Sequence, residues 1–220
     1  MIIKADTGTF FVFDLDDTLY NEIDFLISAY KAIAIGIEPV NHVQLYSEMF
    51  QTYKSGGNAF SYIIEKYPEQ SLTIGKLLDS YRNHFPEISP RKGVLEMFSA
   101  IKSKNSKIGI ITDGRSITQR NKIKALGIEH FIDETIISEE FDREKPHESL
   151  YKYLIDKNPW GKFYYFGDNI EKDFITPKKL AWFCIGLIDK NNIRSFNHSK
   201  FPDDYLPHCF ISKFTEIVII

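Results

Sequence analysis

Aspartates crowd the end of an apolar run in Thr9-Phe10-Phe11-Val12-Phe13-Asp14-Leu15-Asp16-Asp17-Thr18-Leu19-Tyr20. The run reads as a strand covered on both faces, because only such strands are near-continuous in apolar residues. Carboxylates packed beyond it repel one another, and desolvation sharpens the repulsion. A cation relieves it, and an all-oxygen ligand set suits Mg²⁺. By itself the segment equally suits a turn that caps the next helix.

Three later segments change that balance. Thr112-Asp113-Gly114 follows the apolar Ile108-Gly109-Ile110-Ile111. Its hydroxyl and exposed amides can hold a phosphate, with Gly114 allowing close backbone approach. Lys145-Pro146 places an ammonium just before a helix, where it can neutralise an anion. Gly167-Asp168-Asn169-Ile170-Glu171-Lys172-Asp173 follows Tyr164-Tyr165-Phe166. Taken singly these are a turn, a surface lysine and a strand-to-helix loop. Taken together, each falls at a strand end.

The elements that would position them alternate. Strands are expected at Lys107–Thr112, Thr135–Ser138, Phe163–Gly167 and Trp182–Leu187, with a last short one near Cys209–Ile211. Helices fall between them. Val94, Met97, Phe98 and Ile101 mark one apolar helix face, and Ser116–Leu126 reads as another helix. Ser116 and Gln119 fit a capping box there, Gly127 fits the stop, and Pro146 suits a first helical position. A polar helix is expected between the last two long strands. This alternation predicts an α/β fold, a doubly wound, Rossmann-like parallel sheet that binds ligands beyond its C-terminal strand ends.

One stretch breaks the pattern. Residues 21–86 read as a mostly helical insert, with Phe25, Ile27, Tyr30, Ile33 and then Val43, Tyr46, Met49, Phe50 at helical spacing. Ser55-Gly56-Gly57-Asn58 divides it, and Pro86 and Pro90 mark the return. The expected division is therefore a core of residues 1–20 and 87–220 and a helical cap of residues 21–86. The Gly-rich break is the cap segment expected to reach the site.

Composition narrows the partners. At 220 residues, the chain can bury roughly 70% of its unfolded surface, enough for one such domain with an insert. Lys and Arg number 27 against 30 Asp and Glu, and no basic tract occurs, which argues against nucleic acid or an anionic membrane as partner. No apolar run spans a bilayer, and the N-terminus lacks a signal-peptide pattern. Cys184 and Cys209 form no CxxC pair and read as small core residues, which fits a reducing cytoplasm. The six histidines show no HxxxH or HExxH spacing, so no histidine zinc site is expected. A monomer or homodimer is expected.

The ordered set DxDxT, Thr112, Lys145-Pro146 and GDxxxxD, with a helical insert after the first motif, resembles the haloacid dehalogenase (HAD)-like hydrolase superfamily, in particular its phosphatase branch with a type-one helical cap. The resemblance runs from Phe11 to the Cys209 region. It implies a Mg²⁺-dependent hydrolase that removes phosphate from a small phosphorylated metabolite through an aspartyl-phosphate. Asp14 is then the nucleophile, and Asp16 protonates the leaving alkoxide and later deprotonates water. Asp14, the backbone carbonyl of Asp16 and Asp168 would hold the metal. Thr112, Asp113, Gly114 and Lys145 would bind the phosphate, and Asn169 and Asp173 would orient metal-bound water or Lys145. Asp17 is read as structural and Thr18 as a brace. One departure stands out: Thr-Asp-Gly replaces the more usual Ser/Thr-Asn-Gly, and an ionised Asp cannot donate the hydrogen bond that Asn can.

Competing readings make different demands. A 2-haloacid dehalogenase lacks the second aspartate, because halide leaves without a proton. A phosphomutase differs only in the fate of the aspartyl-phosphate. A receiver module is shorter and has no cap. A non-catalytic descendant would have lost one of Asp14, Asp16, Lys145 or Asp168.

Overall fold

In the computed structural model, which describes residues 1–189 and 201–220, the apolar runs form one six-stranded, all-parallel sheet. Its strands are β2 (Thr9–Phe13), β3 (Lys107–Thr112), β4 (Glu134–Ile137), β5 (Lys162–Gly167), β6 (Phe183–Leu187) and β7 (Cys209–Ile211), in the order β4-β3-β2-β5-β6-β7. The chain winds outward from β2 to β4, then returns to place β5 beside β2. That reversal is the switch point where open α/β sheets bind ligands. A second, two-stranded sheet pairs β1 (Ile2–Ile3) with β8 (Val218–Ile219) and joins the chain ends. Strands of two residues carry too little pattern to be read in sequence.

Strand alternation divides the core. Phe11 and Phe13 of β2 face one layer with Phe166, Ile110 and the α5 helix (Val94–Ser103), while Phe10 and Val12 face the other with Tyr165, Ile111 and the α8 helix (Glu148–Lys157). Phe13 stacks on Phe166 with centroids 4.6 Å apart and meets Phe98 at 5.0 Å. Truncating a ring packed this way costs about 3–5 kcal/mol. Phe and Tyr supply most of the largest fully buried side chains.

The insert forms four helices: α1 (Glu22–Ile37), α2 (His42–Lys54), α3 (Ala59–Lys66) and α4 (Ile74–Asn83). They bury their own cluster, including Tyr30, Ile33, Met49, Ile63 and Leu77. In α2 the buried positions are Leu45 and Met49, whereas Val43 is exposed. Tyr46 packs half-buried at the edge of this cluster and stacks on Phe50. Asn58 accepts from the amides of Phe60 and Ser61 and caps α3, which explains the break before it.

Several expected boundaries shift. Strand β4 ends at Ile137, and Ser138 opens the short helix α7 (Ser138–Phe141). Pro146 is not the first position of α8, which begins at Glu148 with His147 as its cap, and the Lys145–Pro146 peptide is cis. Helix α9 (Ile175–Lys179) is shorter than the polar segment suggested. Cys184 is buried, but Cys209 is only partly so. Helix α6 (Ser116–Ala125) has Arg115 at its cap with no side-chain cap bond. Gly127, at φ +67°, ends it as expected.

Candidate active site

The C-terminal ends of β2, β3 and β5 converge on one cavity. It is lined by Asp14, Asp16, Asp17, Glu22, Thr112, Asp113, Lys145, Asp168, Asn169 and Lys172. Strand geometry accounts for the meeting: parallel strands send their following loops to one side, and β2 lies between β3 and β5.

Lys145 is the electrostatic centre. Its Nζ donates to Asp14 Oδ1 at 2.5 Å and to Asp173 Oδ1 at 2.7 Å, and all three residues are buried. Burial alone would discharge this ammonium, but Asp14 and Asp173 outweigh it and hold the lysine well above its ordinary value. Burial pushes the Asp14 carboxyl up; Lys145 opposes this, and Asp173 adds to it. Asp168 is raised by burial, then by Asp14 and Asp173. The negative charge gathered here exceeds what one lysine neutralises.

Such a cluster fits a cation. Carboxylate oxygens of Asp14, Asp168 and Asp173 lie within 4.8 Å of one another. Thr18 Oγ1 donates to Asp14 Oδ2 at 3.3 Å and to Asp168 Oδ1 at 3.2 Å, bracing the two from one side. Asp173 is otherwise committed. Its Oδ1 also accepts from Tyr165, and its Oδ2 from the amides of Asp168 and Asn169. Asp14 and Asp168 therefore offer the better oxygens, and Asp173 shapes the loop that presents Asp168. Gly167 makes this possible, because a Cβ there would lie 2.4 Å from Asp173 Oδ2.

The Thr112-Asp113-Gly114 segment divides its tasks. Thr112 is buried at the cavity, where its hydroxyl accepts from Gln119 Nε2 at 2.6 Å. Asp113 accepts from the Lys145 amide at 2.9 Å and from Lys172 Nζ at 3.0 Å. Asp113 lines the cavity, and both of its oxygens hold neighbouring loops. Gly114 lines an adjacent groove, and its amide donates to Ser138 Oγ at 2.9 Å. Asn169 borders the cavity while its side chain accepts from the Glu171 amide.

Asp16 is held by three donors. Lys122 Nζ and the Tyr20 hydroxyl reach Oδ1, the former at 2.7 Å, and Gln119 Nε2 reaches Oδ2 at 2.8 Å. Burial alone would raise this carboxyl, but Lys122 and the other donors lower it. Gln119 is thus not part of a capping box; Ser116 donates instead to Glu140. A signal for both residues was present. Positions 119, 122, 123 and 126 form the inward stripe of α6, and two of them are polar.

Glu22, Lys172 and Tyr20 are further residues of the site that spacing did not single out. Asp17, at φ +57°, accepts from the Glu22 amide and caps α1, in keeping with a structural role. Glu22 is what the insert contributes to the cavity wall; residues 55–58 do not line it. That corrects the expectation for the Gly-rich break.

A family model described as haloacid dehalogenase-like hydrolase matches residues 11–201. The chain belongs to that family. Among relatives of this HAD-like chain, the glyceraldehyde 3-phosphate phosphatase of Methanocaldococcus jannaschii is 27% identical, over 87% of this chain and 90% of its own. The pyrimidine 5′-nucleotidase YjjG of Escherichia coli is 33% identical over 46% of each chain. Among solved structures, the magnesium-bound HAD-hydrolase YfnB of Bacillus subtilis superposes with a TM-score of 0.66 at 16% identity, covering 94% of this chain and 96% of that one. This last likeness bears on the fold, and the HAD fold with its helical insert is what the sequence had implied.

Proposed function

We propose that this HAD-like hydrolase is a Mg²⁺-dependent phosphatase of small phosphorylated metabolites, working in the cytoplasm, with residues 21–86 as its cap. One observation carries the reading: Asp14, Asp168, Lys145 and Thr112 come from four separate segments of the chain and meet in one cavity. The names of the phosphatase relatives support it, and a triose phosphate heads the list of substrates to test.

The proposed chemistry has two displacements. An Asp14 oxygen attacks phosphorus, the bond to the leaving oxygen breaks, and Asp16 gives that oxygen its proton. Water then attacks the aspartyl-phosphate, Asp16 takes its proton, and phosphate leaves with Asp14 restored. Lys145 and Thr112 face the oxygens on which charge accumulates. Asp14, Asp168 and the Asp16 carbonyl would hold Mg²⁺, which would screen the nucleophile from the phosphate dianion. Asp16 in place of a residue that cannot donate a proton favours phosphate over halide departure.

The test is phosphate release from triose, sugar and nucleoside monophosphates with Mg²⁺ and with chelator. Metal-dependent turnover of at least one is expected. Halide release from a 2-haloacid without phosphatase activity would overturn the reading.

A further inference from the structure

Lys122 occupies an unusual position for a lysine. It belongs to α6 of the core and is only 5% exposed, so its charge must be balanced by fixed neighbours. One neighbour is Asp16 Oδ1, at 2.7 Å. Another is the face of Phe25, whose centroid lies 4.5 Å from Nζ. Phe25 belongs to α1 of the insert and packs in turn against the tilted ring of His84, centroids 4.7 Å apart.

The same helix carries the docking contacts between the two units. Thr118 Oγ1 donates to the Arg82 carbonyl at 3.0 Å, and Asn121 Nδ2 donates to the His84 carbonyl at 3.3 Å. One turn of α6 therefore touches both the insert and both oxygens of Asp16, since Gln119 holds the second. A cation between a carboxylate and an aromatic face is favourable only while both stay in place. If the insert shifts, Phe25 leaves Lys122, and the ammonium has less to fix it against Asp16.

We propose that Lys122 is a positioning residue that ties the Asp16 carboxylate to helix α1, so that seating of the insert and placement of the proton-transfer group are one event. The proposal rests on the phosphatase reading above. It extends that reading by naming the residue that couples the two units. Lys122 acts through Asp16 and does not itself line the cavity.

The experiment uses the full chain with Mg²⁺ and compares single-turnover cleavage of an alkyl phosphate with that of 4-nitrophenyl phosphate. The alkoxide needs a proton from Asp16, and the nitrophenolate leaves without one. Lys122→Met keeps the aliphatic stem and removes the charge. Losing the cation also makes Asp16 easier to protonate, so slower alkyl cleavage reads as misplacement of Asp16. A loss of about 30-fold is expected, with aryl cleavage slowed by less than about 3-fold, and faster alkyl cleavage overturns the positioning role. In an Asp16→Asn background, Lys122→Met should add less than about 3-fold, because the carboxylate it acts on is gone. Phe25→Leu retains apolar volume and removes the ring face. The same leaving-group bias is expected there, smaller in size, and this variant decides the matter should Lys122→Met not fold.

Equal loss on both substrates, or additivity with Asp16→Asn, overturns the positioning role and leaves the phosphatase reading intact. Absence of leaving-group bias in Phe25→Leu overturns the tie to α1. A wild-type chain that cleaves no phosphomonoester overturns the functional reading, and this proposal with it.

Discussion

Asp14 and Lys145, separated by 131 residues in the chain, meet as a buried ion pair at 2.5 Å. Neither is exposed enough for water to replace its partner. Removing one side of such a pair therefore leaves a charge that must find compensation. Asp173 supplies it for Lys145, so a change at Asp14 is expected to leave the site's structure in place.

Asp14→Asn is expected to reduce phosphate release at least about 1,000-fold while preserving the far-ultraviolet circular dichroism spectrum. The change removes the proposed nucleophile and a metal oxygen together. Retention of near-normal turnover would exclude covalent catalysis by Asp14.

Asp173→Asn should be the more damaging change for stability. Asp173 accepts four hydrogen bonds, from Lys145, Tyr165 and the amides of Asp168 and Asn169. An amide can accept at only one of its two positions, so loss of about 3–5 kcal/mol is expected, as for a broken buried pair. Chemical denaturation of the metal-free protein measures it.

Gly167→Ala tests the same loop by crowding. Its methyl would stand 2.4 Å from Asp173 Oδ2 and 2.7 Å from Cγ, closer than packing allows. A destabilisation of about 1–3 kcal/mol is expected from the forced shift. Mg²⁺ affinity, read by calorimetry, should fall as Asp168 moves with the loop.

Asp113 separates two effects. Asp113→Asn keeps an acceptor for the Lys145 amide and loses the ion pair with half-exposed Lys172, so it should cost less than about 1 kcal/mol. Asp113→Ala orphans that amide and should cost about 1–3 kcal/mol. Paired thermal unfolding curves distinguish these outcomes, and equal losses would refute the bracing role.

Metal and pH should act together. Asp14 and Asp168 have folded values above the ordinary carboxyl value of 3.8, first because of burial. A group shifted this way stabilises the fold fully below its unfolded value, and that contribution is lost as pH rises through the folded value. Metal-free protein should thus lose stability from acidic pH toward and beyond neutrality. Because Mg²⁺ competes with protons for these oxygens, the rise in melting temperature on adding it should be larger near about pH 8 than near about pH 5. A rise that shrinks with pH would exclude these carboxylates as ligands.

Much of the molecule was legible in the chain itself. Apolar runs of four to six residues, each ended by polar or glycine residues, announce buried parallel strands, and Asp14, Thr112, Lys145 and Asp168 fall just beyond or near them. Local pattern suffices there because burial on both faces leaves no other composition for the strand. It also marked the helical insert and the Gly127 stop. Side-chain destination is a different matter. Gln119 satisfies a capping spacing, yet the parallel stacking of β2 beside β3 brings Asp16 and Thr112 within its reach, and a side chain turned inward to donate to both does not reach back to the helix-end amide. For Asp113, too, only the folded chain shows the partners of its two oxygens, the Lys145 amide and Lys172. Sequence alone determined which residue types stand at the strand ends, since that depends on neighbours along the chain. Only the tertiary structure decided which of them face the cavity and which hold each other, since hydrogen-bond partners 20 to 150 residues apart are chosen by packing.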